Sequence, residues 1–335
     1  MIPNQWYVLM ESGQVKDGPV GVKRMGERLV FWRDETGRVI CLRDKCPHRG
    51  AALSKGKVAA GHIVCPFHGF EYEASGRAVL VPAGGKSGPV PRAFQAGRYP
   101  TFEAHGFIWV WWGNDPPDPL APPHFFDDLD ETFVYKTVRD PWRAHYARVI
   151  ENQLDVVHVP FVHHNTIGRG RRTVVEGPAM EWLDDDSFNI YVYNRVDDGT
   201  PPRKASELPI PNPNGFRLEF LFPNLWENCI GDDVRIVAAF VPVDDEHTLL
   251  YLRFYQRFMK VPLLRDLVGW AASALNLVVA HQDRRVVETQ QPQRSELHIG
   301  EKLIHGDRPV IEYRRRREAL IEAAQQGGRR APEGR

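Results

Sequence analysis

The sequence predicts an α+β protein of two domains, and three observations carry that expectation. The first third alternates short β-rich runs with turn residues, and a proline-rich connector follows it. Beyond the connector come a helical segment, four strand-like runs and a long helical pattern, in that order and not in βαβ alternation. The chain has 335 residues, 42% of them hydrophobic, which suits about two soluble globular domains. Its 43 Lys and Arg balance 43 Asp and Glu, which argues against a nucleic-acid or anionic-membrane partner.

In the first domain, expected over residues 1–115, strands are read at WYVLM from Trp6, VGVKRM from Val20, RLVFW from Arg28, RVICL from Arg38 and FIWVWW from Phe107. Asp34 to Gly37 (DETG) reads as a hairpin turn. The five prolines of GNDPPDPLAPP, from Gly113, can neither continue a helix nor donate to a ladder, so the boundary falls there.

The second domain, expected over 116–325, opens with the helical spacing of DPWRAHYARVIENQLDVVHVPFVHH from Asp140. FNIYVYNRV, GFRLEFLF, VRIVAAFVPV and TLLYLRFYQRF read as an antiparallel sheet, followed by a helix from Pro262 to about Gln290. Residues 326–335 read as a disordered tail, and the basic run Arg314 to Arg317 as the solvated end of a helix. No stretch reaches the roughly 18 uninterrupted apolar residues of a membrane span, and the N-terminus lacks a basic-then-apolar layout. A cytoplasmic protein without membrane contact is expected. Four cysteines are too few for a disulfide scaffold.

Those cysteines point to metal. Cys46 and His48 stand in CPHRG, Cys65 and His68 in CPFHGF, so each of two loops presents one thiolate and one imidazole. A zinc finger usually groups its cysteines in one half and its histidines in the other. One of each per loop suits a [2Fe–2S] centre with Cys₂ on one iron and His₂ on the other, and structural zinc stays the alternative. Gly50 and Gly69 follow closely, where backbone N–H groups can approach cluster sulfides. Cys41 and Cys229 fall outside the pattern and read as small buried hydrophobes.

A second constellation lies in ENQLDVVHVPFVHHN. His158 and His163 are five apart, and Pro160 between them is expected to break the regular helix and re-aim the second imidazole. With a carboxylate from elsewhere they make the facial triad of a non-haem iron, a natural acceptor for electrons from the cluster. Among Asp283, Glu288 and Glu296 the first choice is Asp283, which follows the apolar residues Leu275, Leu277, Val278 and Val279; its plain alternative is a surface acid paired with Arg284 or Arg285. His164 and His281 are near misses. Asp155, one turn before His158, is placed to accept the ring N–H of a metal-bound imidazole, and Asn152 on the same face to reach the open iron site.

Taken together, CPHRG, CPFHG, FIWVWWG, NQLDVVHVPFVHH and the late Asp283 resemble the Rieske non-haem iron oxygenases across both domains, with Phe70 standing where many members carry Trp. The resemblance implies an N-terminal all-β Rieske [2Fe–2S] domain followed by an antiparallel-sheet-plus-helices catalytic domain. Cys46, His48, Cys65 and His68 would hold the cluster, and His158, His163 and Asp283 a mononuclear Fe(II). It also implies a head-to-tail homotrimer of the single-subunit type, with Asp155 bridging His158 of one subunit to His48 or His68 of the next. No G-x-G-x-x-G follows a strand, so a separate reductase or ferredoxin is expected to supply electrons. The implied reaction uses O₂ to hydroxylate or oxidatively demethylate a small organic molecule, with aromatic-ring cis-dihydroxylation as the alternative. A Rieske electron carrier and a zinc-stabilised structural protein are the readings from other classes. The pocket is expected against the second sheet, with Phe188, Tyr191, Tyr193, Phe216, Phe220, Phe222 and Trp226 as candidate lining.

Overall fold

Apolar runs that alternate with turn residues leave the N-terminal part of the chain no option but short strands joined by tight turns. The computed structural model describes residues 1–211 and 215–328, and the chain divides into two units: Met1–His124 with Pro242–Asp244, and Phe125–Val241 with Asp245–Arg335. The tail expected at 326–335 begins inside a helix that runs to Gly328, and its remainder lies outside the described residues.

Unit one begins with β1 (Gln5–Glu11), β2 (Val20–Arg24), β3 (Glu27–Arg33), β4 (Val39–Arg43), β5 (Lys57–Ala59) and β6 (His62–Val64). It continues with β7 (Glu71–Tyr72), β8 (Ala78–Leu80), β9 (Arg98–Tyr99), β10 (Thr101–Ala104) and β11 (Phe107–Trp112). They form three antiparallel sheets in the orders β1-β11-β10, β2-β3-β4-β9 and β5-β6-β7-β8. The DETG turn forms as expected: Asp34 Oδ1 accepts from Thr36 N at 2.9 Å and Arg38 N at 3.0 Å, and Gly37 takes φ +82°. A core of Trp32, Leu42, Leu53, Ile63, Phe70 and Tyr72 underlies the two Cys-His loops.

Unit two is a seven-stranded antiparallel sheet with helices. Its strands are β12 (Val134–Trp142), β13 (Val174–Trp182), β14 (Ser187–Arg195), β15 (Arg217–Leu221), β16 (Leu225–Ile230), β17 (Val234–Pro242) and β18 (Thr248–Gln256), in the order β12-β18-β17-β16-β15-β14-β13. The helices are α1 (Tyr146–Leu154), α2 (Val159–Val162), α3 (Pro262–Val287) and α4 (Arg308–Gly328).

Three elements correct the sequence reading. Asp140 to Trp142, read as helical, end strand β12, where the edge position lets Pro141 forgo a ladder bond. α2 holds Pro160 in its first turn, where a missing N–H costs nothing, so Pro160 helps begin a short helix between the two histidines. The run Arg314 to Arg317 lies inside α4, not at its end, and Arg314 is buried against Glu151 and Glu301.

α3 is 26 residues long with a best-window mean hydropathy of 1.4, enough by length and composition to cross a bilayer. One of its faces packs on β12 and β18. Gly269 sits on that face, where an added Cβ would meet Lys136 Cγ at 2.6 Å and force that side chain to move.

Candidate iron sites

The two Cys-His loops are built alike. Cys46 N donates to Ala51 O at 2.8 Å and Gly50 N to Cys46 O at 2.9 Å; Cys65 N donates to Phe70 O at 2.8 Å and Gly69 N to Cys65 O at 3.0 Å. Both turns close through a glycine at positive φ, +76° at Gly50 and +70° at Gly69. The loops bury their cysteines and expose their histidines: Cys46 and Cys65 are 2% exposed, while His48 and His68 face solvent with ring centroids 4.7 Å apart. Thiols inside and imidazoles outside form the layered donor set that a two-iron cluster with unlike ligands requires.

Cys46 Sγ lies 3.1 Å from the Tyr72 hydroxyl, a donor that would tune the cluster through its sulfur. Burial and the nearby thiols push Tyr72 far above the ordinary phenol range, so it keeps that proton. Phe70 stacks on the His48 ring at 4.7 Å and 4°; it supports the imidazole as a flat surface and offers no N–H.

The second site gathers residues 125 apart in sequence. α1 ends at Asp155, α2 carries His158 at its N-cap and His163 at its C-cap, and α3 presents Asp283. His163 Nε2 lies 2.9 Å and His158 Nε2 3.4 Å from Asp283 Oδ1. All three ligand atoms fall within 4.8 Å of one another. Asp283 Oδ1 is buried without a hydrogen bond among the described residues. Two imidazole nitrogens and a carboxylate oxygen that converge on one point are the donor set an Fe(II) ion takes, so the residues fit the metal.

Burial disfavours charge on His158, but the Asp155 and Asp283 carboxylates outweigh it and raise the imidazole to about 9. Burial raises Asp283, and the two histidines bring it below the ordinary carboxylate value.

The supporting contacts were only partly visible in the sequence. Asp155 Oδ2 stands 3.5 Å from His158 Nδ1, while its Oδ1 accepts from Val157 N at 2.6 Å and fixes the turn. Gln282, next to Asp283, reaches His163 Nδ1 at 2.8 Å and accepts from Thr166 Oγ1 at 2.8 Å. Gln153 Nε2 lies 3.5 Å from Asp283 Oδ2 and lines the cavity. Its neighbour Asn152 is not among the lining residues and keeps a buried Nδ2 without a hydrogen-bond partner among the described residues. His164 bonds to Phe161 O, and His281 and Arg284 to Asp140, so neither histidine joins the triad.

A cavity of about 900 Å³ opens beside the triad. Of the seven aromatic residues expected to line it, Tyr193, Phe216 and Trp226 do so. Phe220 and Phe222 instead pack on Tyr313 of α4, at 5.3 and 5.5 Å, and Phe188 packs on Phe220 at 5.7 Å. They belong to the core between sheet and helix.

Asp128, Glu227 and Cys229 form a second close group. Arg217 and Arg235 already bond Asp128, at 2.8 and 2.9 Å, so its charge is met without an ion. Cys229 is no simple hydrophobe there: its thiol donates to Glu227 Oε2 at 3.0 Å.

Fold and donor sets together define a two-unit iron protein, with a Rieske-type β unit followed by a sheet-and-helix unit that carries a two-histidine, one-carboxylate triad. Comparison with known proteins agrees. The Rieske [2Fe–2S] domain profile matches residues 5–100. The vanillate O-demethylase oxygenase C-terminal domain profile matches residues 142–323, more than half of the chain. The chain belongs to that family and is a Rieske oxygenase homologue. It is 36% identical over 168 residues to chlorophyllide a oxygenase of Chlamydomonas reinhardtii, covering 50% of this chain and 25% of the relative. To the vanillate O-demethylase oxygenase subunit of Pseudomonas sp. it is 32% identical over 186 residues, covering 55% and 51%. The matches thus span a quarter to about half of these relatives' lengths. Among solved structures, Pseudomonas putida CBB5 NdmA shares the fold at a TM-score of 0.77 and 23% identity, over 97% of this chain and 92% of the other.

Proposed function

We propose that this protein is the terminal oxygenase component of a multicomponent Rieske system, which uses O₂ and externally supplied electrons to hydroxylate or oxidatively demethylate a small organic molecule. One observation carries the reading: His158, His163 and Asp283 converge at a large, mostly apolar cavity in a chain that also has a Rieske domain. In this reading Cys46, His48, Cys65 and His68 hold the cluster. Bound by the triad, Fe(II) supplies the redox activation of dioxygen.

The protein's own residues supply placement. Asp155 and Gln282 orient His158 and His163 through the ring nitrogens turned away from the metal. Gln153 steadies the free oxygen of Asp283. Asn152 enters the reading as a buried neighbour of these groups, not as a cavity wall. The apolar walls keep the site dry and hold the target carbon near the metal.

A separate reductase or ferredoxin delivers the electrons, in a cytoplasmic setting. The working unit is a homotrimer in which Asp155 also faces a Rieske histidine of the neighbouring subunit. The apolar stripe Leu263, Leu267, Trp270 and Val278, 50–85% exposed on α3, supports assembly. Cis-dihydroxylation is the second reading of the same site.

The test is substrate-stimulated oxygen uptake with a surrogate reductase, over methoxylated, N-methylated and alicyclic compounds. His158→Ala should keep the Rieske spectrum and lose oxygen consumption. Unchanged oxygen consumption would take His158 out of the site, whereas a wild-type chain that accepts electrons from the reductase and consumes no oxygen with any of these compounds would be an electron carrier instead.

A further inference from the structure

We infer, resting on the oxygenase reading, that the Arg203 side chain is a swinging gate at the mouth of the cavity, latched on Glu176, and that it sets how fast substrate enters and leaves.

The exposed lining residues mark where the cavity meets solvent: Ile167, Arg169, Arg172, Arg203 and Ile230. Most of this rim is fixed. Ile230 is paired with Val234 in the β16-β17 ladder. Between Ile167 and Arg169, Gly168 N donates to His163 O at 2.9 Å, and an added Cβ on Gly168 would meet Val159 O at 2.0 Å, so this turn lies hard against α2. Arg169 Nε donates to Asn165 O at 2.9 Å. Arg203 is different. Its main chain is pinned to β13, where Gly177 N donates to Arg203 O at 3.1 Å. Its side chain is 52% exposed, and the guanidinium is fastened to Glu176, with Nε 3.0 Å from Oε2.

The latch opens without stranding a charge. Glu176 is 4% exposed, and its other oxygen is held by Arg195 Nε at 2.9 Å. Arg195 is itself immobile: its two terminal nitrogens donate to Val196 O, Asp198 Oδ1, Thr200 and Pro201 O, which wraps the turn after β14 around the guanidinium. When Arg203 swings out, the carboxylate therefore keeps one cation, and the freed guanidinium enters the water that it already half faces. An ion pair with so exposed a partner adds little net stability, so this is the half of the pair that lets go. Loss of Arg195 would instead leave the covered carboxylate with a mobile partner alone.

A gate whose latch is indifferent to what the cavity holds slows entry and exit by one factor and leaves the equilibrium untouched. A binding residue behaves otherwise, because its loss changes Kd.

Stopped-flow fluorescence with the neutral naphthalene probe prodan, on the full iron-loaded chain without reductase, reads kon and koff. Arg203→Ala should raise both about tenfold and keep Kd within about twofold of wild type. Glu176→Gln keeps the side-chain shape and weakens the latch, so both rates should rise by a smaller factor. The double variant should match Arg203→Ala alone, since gate and latch are one device. In the wild type both rates should also rise with ionic strength, which screens the latch and has no charge to act on in the probe; in Glu176→Gln they should stay level. A changed Kd with unchanged koff, rates indifferent to both substitutions, or wild-type rates that ignore salt would overturn the inference, and the salt series depends on no variant. Failure of the probe to bind would overturn it as well, since a gate that swings beside a cavity of about 900 Å³ must admit a two-ring molecule. Oxygen uptake is read separately: gated exchange of the probe in a chain that consumes no oxygen with reductase present would fault the oxygenase reading and leave the gate standing.

Discussion

At the scale of single residues, the triad is a case of convergence without internal satisfaction. Asp283 is 3% exposed and its Oδ1 stands within 3.4 Å of two imidazole nitrogens without a hydrogen bond. Removing one ligand leaves two donors, too few to hold Fe(II) tightly. His163→Ala or Asp283→Ala should therefore drop total iron from three to two per chain while the Rieske spectrum persists; three irons retained in either variant would remove that residue from the site. Glu227 behaves differently. Burial first, then the nearby Asp128 charge, raise its carboxyl to about 8. The folded chain thus holds a proton that the unfolded chain releases near pH 4.5, and the sign follows: stability falls as pH rises between about 4.5 and 8, by up to about 1.4 kcal/mol per pH unit from this group, and levels off above. Glu227→Gln keeps the acceptor for Cys229 and removes the titration. Urea midpoints of the variant and wild type should draw apart, in the variant's favour, from pH 5.5 to 8.5, and parallel curves would refute the assignment. The Cys-His and His-His pairs were legible in the sequence because the members of each lie within five residues of one another, whereas Gln282 and Gln153 reach their partners across 119 and 130 residues and leave no local pattern.

At the scale of elements, α1 is tied to α4 by charge. Arg314 Nε and Nη2 each meet a Glu151 oxygen at 2.8 Å, and Arg148 and Arg314 both bond Glu301 at 2.8 Å. Arg148, Glu151 and Arg314 are buried. Deleting one member strands a desolvated charge, so Arg314→Ala should cost about 3–5 kcal/mol in denaturant unfolding, and Arg314→Met with Glu151→Met together markedly less. A single variant within 1 kcal/mol of wild type would show the network to be surface-like. This helix also shows where periodicity fails. Its arginine run reads as solvated because nothing local signals that Glu151, 163 residues away, awaits Arg314. β13 was hidden for another reason: Gly177 and Pro178 interrupt its alternation at a bulge in an edge strand, a position that tolerates both. β16 alternates Trp226, Asn228 and Ile230 toward the cavity with Leu225, Glu227 and Cys229 on the other face, and polar residues on both sides blur a two-residue pattern. β14, β17 and β18 were legible because each carries enough β-branched and aromatic residues to read as a strand even though Asn189, Arg235 and Arg253 are buried in them.

At the scale of the whole molecule, α3 poses a problem that one chain leaves open. Gly269, Ser273, Ala280, Asp283 and Val287 form its buried stripe. Leu263, Leu267, Trp270 and Val278 form an outward stripe at helical spacing, with Trp270 65% exposed. A trimer that covers this stripe predicts that Leu267→Glu with Trp270→Glu lowers the sedimenting mass while the cluster spectrum and iron content persist; an unchanged mass would place the contact elsewhere. The stronger test asks whether electrons cross between subunits. A His158→Ala chain keeps a cluster and lacks the mononuclear site, and a His48→Ala chain is its converse; each alone should be inactive. Co-assembled at equal amounts in a head-to-tail ring, about a quarter of the interfaces set an intact cluster beside an intact iron site, so activity should return to about a quarter of wild type. If electrons passed only within a chain, no mixture would recover any activity. Asp155→Asn refines the result, since it keeps both metals and the side-chain shape but removes the carboxylate beside His158. Single-turnover oxidation of the pre-reduced cluster, with substrate present, should slow markedly, and an unchanged rate would take Asp155 off the path between subunits.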